Sequence, residues 1–86
     1  MELAALRREI DSVDNELIAL FTKRMDVCAK IGEYKKSNGL PVYDKMREEA
    51  KLSRVSELSR DDMKDYTSEL FEKLFELSRR YQESMQ

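Results

Sequence analysis

The stretch LAALRREIDSVDNELIALFTKRMDVCAKIGEYKK, residues 3–36, decides the fold. Apolar side chains recur in it at Leu3, Leu6, Ile10, Val13, Leu17, Leu20, Val27, Ile31 and Tyr34. The alternating steps of three and four form a heptad seam along one side of an α-helix, with a single gap at Arg24. The strong break comes afterwards, in Ser37-Asn38-Gly39-Leu40-Pro41, where glycine and proline stand close together. As one helix, residues 3–36 span about 51 Å at 1.5 Å per residue. A compact globule of this chain length would have a radius of gyration of only about 12 Å. The helix therefore overshoots its own domain, and shorter helices of the same chain can cover only part of its seam. A partner helix is the natural cover, and a symmetric homodimer is the simplest supplier.

Working outward, Pro41-Val42-Tyr43 reads as extended chain and Asp44 as the N-cap of a second helix running to about Leu58. Ser59-Arg60-Asp61-Asp62 reads as a cap with an acidic first turn. The third helix then carries Tyr66, Leu70, Leu74, Leu77 and Tyr81 on one face and continues almost to Gln86. No repeat, low-complexity tract or strand pattern is present. The expected fold is all-α, with three helices per chain, one of them very long, in a single domain over residues 1–86.

Composition agrees. With 86 residues, 41% hydrophobic and 40% charged, the chain is one small domain whose own core is marginal. Its lone cysteine excludes an intrachain disulfide framework, and the opening run from Met1 to Glu9 lacks the apolar stretch of a signal peptide or membrane span. A cytoplasmic setting is the default expectation. The 16 basic and 18 acidic residues leave a net charge of -2, which argues against general affinity for nucleic acid or an anionic membrane. Any anion site must be local.

Elimination narrows the chemistry. The absence of histidine removes Ser-His-Asp and Cys-His nucleophilic systems and the commonest metal ligand. Cys28, beside Val27 and Ile31, reads as a small buried apolar residue rather than a reactive thiol. Gly32 and Gly39 cannot make a phosphate-cradling loop. Catalysis or binding by fixed charges remains, with no metal or cofactor expected.

Arg24 lies seven residues after Leu17 and seven before Ile31, so the heptad places its guanidinium in the seam. An unpaired charge there costs several kcal/mol, so it needs an anion. Asp14 could supply one, or Arg24 could be a register-setting polar residue. Lys35 lies eleven residues on, within about 20° around the helix and about 16 Å along it, so both side chains could lean toward one ligand. A solvated lysine favoured by the helix dipole is the plainer alternative. Arg7 is about 25 Å from Arg24 along the axis, too far to share a small ligand within one chain. In an antiparallel dimer it could reach the partner's Arg24 region. In the second helix, steps back from Val55 and Leu52 land on Glu48 and Asp44, carboxylates where core side chains should point. A cap at Asp44 with surface pairs among Asp44, Arg47, Glu48 and Lys51 is the competing account. Ser78 and Gln82, spaced i and i+4, present neutral hydrogen-bonding groups, although an exposed polar edge accounts for them as well.

Leu6-Arg7-Arg8-Glu9-Ile10-Asp11, Asp14, Arg24, Gly32-Glu33-Tyr34-Lys35, Pro41-Val42-Tyr43-Asp44 and Arg47-Glu48 together resemble the all-helical chorismate mutases of the AroQ class. The resemblance covers essentially the whole chain and is most specific in its first two thirds. It implies an intertwined dimer with two sites that converts chorismate to prephenate in aromatic amino acid biosynthesis, by a one-step Claisen rearrangement. It also implies roles: Arg24 and the partner's Arg7 on the two carboxylates, Lys35 and Gln82 on the ether oxygen. Glu48 and the Asp44 region would receive the ring hydroxyl, with Arg47 steadying those acids and Ser78 assisting at a carboxylate. A pericyclic reaction needs no nucleophile, metal or obligatory proton transfer. An isochorismate-pyruvate lyase of similar fold, or a helical interaction module without catalysis, are the other readings.

Overall fold

The computed structural model describes residues 2–86; Met1, first in the opening run and in the expected 1–86 domain, lies outside the described residues. Three α-helices follow one another, α1 over Leu3–Ser37, α2 over Lys45–Leu58 and α3 over Lys64–Glu83, with a turn of 3-10 helix at Asp61–Met63 leading into α3. No strand occurs among the described residues. No helix among them is long and apolar enough to cross a membrane.

The boundaries follow from local chemistry. Gly39 takes φ +65° just past the end of α1, where glycine has no Cβ to clash. Leu40 N–H then donates to Lys35 O at 2.8 Å and Gly39 N–H to Lys36 O at 3.4 Å, a Schellman closure of the helix's last carbonyls. Asp44 caps α2 as expected, its Oδ1 accepting from Arg47 N–H at 3.0 Å. Ahead of α3, Ser59 Oγ reaches Val55 O and Thr67 Oγ1, both at 2.6 Å, pinning the α2–α3 connection to both helices.

α3 packs against both α1 and α2, which do not pack against each other among the described residues. The contact with α1 runs along Cys28 and Gly32, both buried. At Gly32 a Cβ would stand 2.9 Å from Met85 Cε and 3.0 Å from Gln82 Cγ, so the missing side chain is what lets the helices approach. This is an offset from expectation. The face of α1 that packs inside the chain lies one residue beyond the seam, and seam residues Val27, Ile31 and Tyr34 stay 48%, 44% and 64% exposed. Over the first half of α1 the seam is uncovered as well, with Leu6, Ile10, Val13 and Leu17 all more than half exposed.

The third helix is likewise turned from its expected orientation. Phe75, Ser78 and Gln82 are the buried residues of α3, whereas Tyr66, Leu70 and Tyr81 of the expected face are largely open. Lying between two helices, α3 must bury a flank on each side, and the seat against α1 takes side chains able to hydrogen-bond across the contact. The radius of gyration is 16.0 Å and the longest extent 55 Å, close to the length of α1 itself. α3, backed by α2, thus covers the C-terminal half of α1 and leaves an apolar rod projecting.

Candidate active site

Where α1, α2 and α3 meet, a cleft of about 380 Å³ opens between Arg24, Ile31 and Lys35 of α1, Val42 and Asp44 of the connection, Arg47, Glu48 and Lys51 of α2, and Phe75, Ser78, Arg79 and Gln82 of α3. Seven of the side chains singled out in the sequence are brought together here: Arg24, Lys35, Asp44, Arg47, Glu48, Ser78 and Gln82. Arg7 is not. It is exposed near the far end of α1 and lies outside the lining of this cleft.

Arg24 is half-buried and donates from Nη1 to Ser78 Oγ at 2.6 Å, with Cys28 Sγ at 3.8 Å. Asp14, the anion considered from sequence, is exposed on the uncovered half of α1, and no carboxylate pairs with Arg24 among the described residues. Its two partners are uncharged, so the guanidinium keeps most of its capacity for an anion. Ser78 in turn donates to Leu74 O at 2.7 Å, which holds the hydroxyl oxygen toward Arg24. Cys28 is buried and donates to Ser78 Oγ at 3.3 Å, in keeping with a packing role.

Lys35 is not the freely solvated lysine of the plainer alternative: its Nζ donates to Val42 O at 2.8 Å across the connection. An ammonium carries three donors, so one carbonyl orients it and leaves donors for a ligand. Gln82 is buried and donates from Nε2 to Cys28 O at 2.9 Å. That bond uses one of two amide hydrogens and aims the other. The exposed-edge account of Ser78 and Gln82 is therefore corrected, because both sit in the α1–α3 contact.

The acids also differ from expectation. Asp44 is exposed and spends Oδ1 on the cap, and no ion pair joins Asp44, Arg47, Glu48 and Lys51 to one another among the described residues. Glu48 instead meets Arg79 of α3, whose Nη1 lies 2.5 Å from both carboxylate oxygens. Glu48 raises the pKa of Arg79 by this hydrogen bond, so the guanidinium is held charged. Arg79 also covers the ring of Tyr43, with Cζ 5.1 Å from the centroid. Arg79 escaped the sequence reading; one available signal was its place four residues after Phe75, on the edge of the buried flank.

The lining sets five cations, Arg24, Lys35, Arg47, Lys51 and Arg79, against two carboxylates, Asp44 and Glu48. An anion is favoured there. A larger depression of about 460 Å³ lies beyond the Glu48–Arg79 pair, but Glu69, Glu72 and Glu76 line it and would repel one. The first cleft thus offers cations for carboxylates, donors for a neutral oxygen and acids for a hydroxyl. Nothing among these groups is an activated nucleophile.

The family model described as chorismate mutase type II matches residues 6–83. The chain is 50% identical over 50 residues to the T-protein of Haemophilus influenzae, a match covering 58% of this chain and 13% of that protein. To the chorismate mutase of Methanocaldococcus jannaschii it is 30% identical over 60 residues, covering 70% of this chain and 61% of that one. It therefore spans less than two thirds of either relative's length. Among solved structures, a conserved hypothetical protein from Pyrococcus furiosus superposes with a TM-score of 0.76 at 40% identity, covering 93% of both chains.

Proposed function

Because the chain belongs to the type II chorismate mutase family, we propose that residues 1–86 act as a single chorismate mutase domain, converting chorismate to prephenate. The observation that carries this is the convergence of Arg24, Lys35, Asp44, Arg47, Glu48, Ser78 and Gln82 on one cleft. Within one molecule a carbon–oxygen bond breaks while a carbon–carbon bond forms, so no co-reactant is needed. The protein must hold the substrate in a chair-like conformer and stabilise charge growing on the ether oxygen.

In this reading Arg24, seated by Ser78, grips one carboxylate and Arg7 of a second copy grips the other. Lys35 and the second amide hydrogen of Gln82 donate to the ether oxygen. Their present bonds to Val42 O and Cys28 O pre-orient them, so little reorganisation accompanies the transition state. Glu48 and Asp44 receive the ring hydroxyl, and Arg47 adds positive charge at the rim.

Assembly as an intertwined homodimer belongs to the same proposal. The bare apolar seam of α1 and the open Tyr66–Leu70–Tyr81 flank of α3 support it, since exposed apolar surface on this scale calls for a partner. A second copy laid along α1 covers the seam and carries its own Arg7 toward the cleft. We place the enzyme in the cytoplasm, in keeping with one unpaired cysteine and no disulfide framework. The test is product identification after incubation with chorismate or with isochorismate. Prephenate from chorismate is expected. Salicylate and pyruvate from isochorismate, without prephenate, would reassign the site to the lyase reaction, and no turnover of either would leave a binding module.

A further inference from the structure

The ion pair between Glu48 and Arg79 differs from the others in the chain. Its side chains are 23% and 30% exposed, whereas at least one partner of every other pair among the described residues is more than half exposed. The others join residues two to four positions apart, while this one spans 31 positions and ties α2 to α3. It also borders the cleft, and both members line it. Exposed pairs contribute little to stability, so the local pairs decide little; a shielded pair with both oxygens engaged fixes the rotamer of the acid.

Glu48 has other cations within reach of its own helix. Lys51 is one turn on and Arg47 precedes it, and across the cleft stand Arg24 and Lys35. An unrestrained Glu48 could swing to any of them, and one pairing with Arg24 would occupy the group needed by a substrate carboxylate. The Arg79 guanidinium is itself restrained by the Tyr43 ring beneath it, so loop, α2 and α3 are joined at one point.

We propose that Arg79 is a positioning residue, which holds the Glu48 carboxylate where it receives the substrate's ring hydroxyl and keeps it off the carboxylate-binding cations. This rests on the mutase reading given above. Arg79 need not touch the substrate; it sets affinity through Glu48. The contact between Glu48 and the hydroxyl exists in both bound substrate and transition state, so its loss appears mainly in KM.

The test is a double-mutant cycle of wild type, Arg79→Met, Glu48→Gln and the double variant, with KM and kcat for chorismate measured on each. Arg79→Met is expected to raise KM about tenfold with kcat changed less than about threefold. In the Glu48→Gln background the same substitution should change KM less than about twofold, because the group it positions is already gone. Arg79→Lys keeps the charge and should give an intermediate KM; it replaces Arg79→Met if that variant does not fold. An unchanged KM in Arg79→Met, or a cost repeated undiminished in the Glu48→Gln background, overturns the positioning role, since a merely structural residue is equally costly in both. Wild type that forms no prephenate would bring down the functional reading itself; active wild type with additive losses would bring down this inference alone.

Discussion

Gly32→Ala puts a single methyl group at the closest approach of α1 and α3. Two opposing effects follow. Alanine is favoured over glycine in a helix interior by about 1 kcal/mol. Against that, the new Cβ meets Met85 Cε at 2.9 Å, Gln82 Cγ at 3.0 Å and Gln82 Cβ at 3.3 Å. Met85 is the flexible end of a side chain beyond α3 and turns away at little cost. Gln82 Cβ is fixed to the helix backbone, so the last turn of α3 must retreat by a few tenths of an ångström, and overpacking of this kind typically costs about 1–3 kcal/mol. Net stability should therefore fall by no more than about 2 kcal/mol. Activity has no compensating gain. The retreat carries the Gln82 amide away from Cys28 O and, in the proposed role, from the ether oxygen, and a donor displaced on this scale should cost roughly three- to tenfold in kcat/KM. Urea unfolding followed by circular dichroism and the rate of chorismate consumption measure the two quantities separately. A variant that is about 1 kcal/mol more stable and retains wild-type kcat/KM would show that α3 yields freely and that Gln82 is not held by this contact.

Arg7→Ala and Arg24→Ala homodimers should each be nearly inactive while folded. When the two are unfolded together and refolded, about half the dimers are mixed, each with one intact site, so roughly a quarter of wild-type chorismate turnover should return under two-fold symmetry; no gain over the separately refolded controls, with dimers formed, removes Arg7 from the partner's cleft. Because α1 is bare without a second copy, the unfolding midpoint should rise with protein concentration, each tenfold increase stabilising the dimer by about 1.4 kcal/mol. A well-folded monomer at micromolar concentration in sedimentation contradicts this. Gln82→Glu should lose activity at neutral pH and recover toward acid, since a carboxyl group donates to the ether oxygen only when protonated, so the active fraction grows as pH falls through its pKa. A pH profile like that of wild type would place Gln82 away from the reacting oxygen.

Residues 3–36 determined by themselves that α1 is one long helix and that its apolar seam is longer than the rest of the chain can cover. Periodicity within a helix is a local property, fixed by 3.6 residues per turn, and it needs no knowledge of neighbours. The break at Gly39 and the cap at Asp44 are equally local, and both were legible, although the Schellman form of the break was seen only in the structure. The gathering of Arg24, Lys35, Glu48, Ser78 and Gln82 was legible through resemblance, and the charges at Arg24 and Glu48 also stood out as interruptions of apolar patterns. Only tertiary structure decided which flank of each helix packs inside the chain. Cys28 and Gly32, rather than Val27 and Ile31, face α3, because the smallest side chains permit the closest approach and the larger ones are left on the seam. The same contact turned Ser78 and Gln82 from a polar edge into buried groups with defined partners, Ser78 accepting from Arg24 and Gln82 donating to Cys28 O. The pairing of Glu48 with Arg79 could not be read, since 31 positions of chain separate two ordinary surface residue types and no helical period relates them. Their meeting depends on how α2 and α3 pack, a contact in which Val55 and Phe75 are buried and which the Ser59–Thr67 bond ties at the connection.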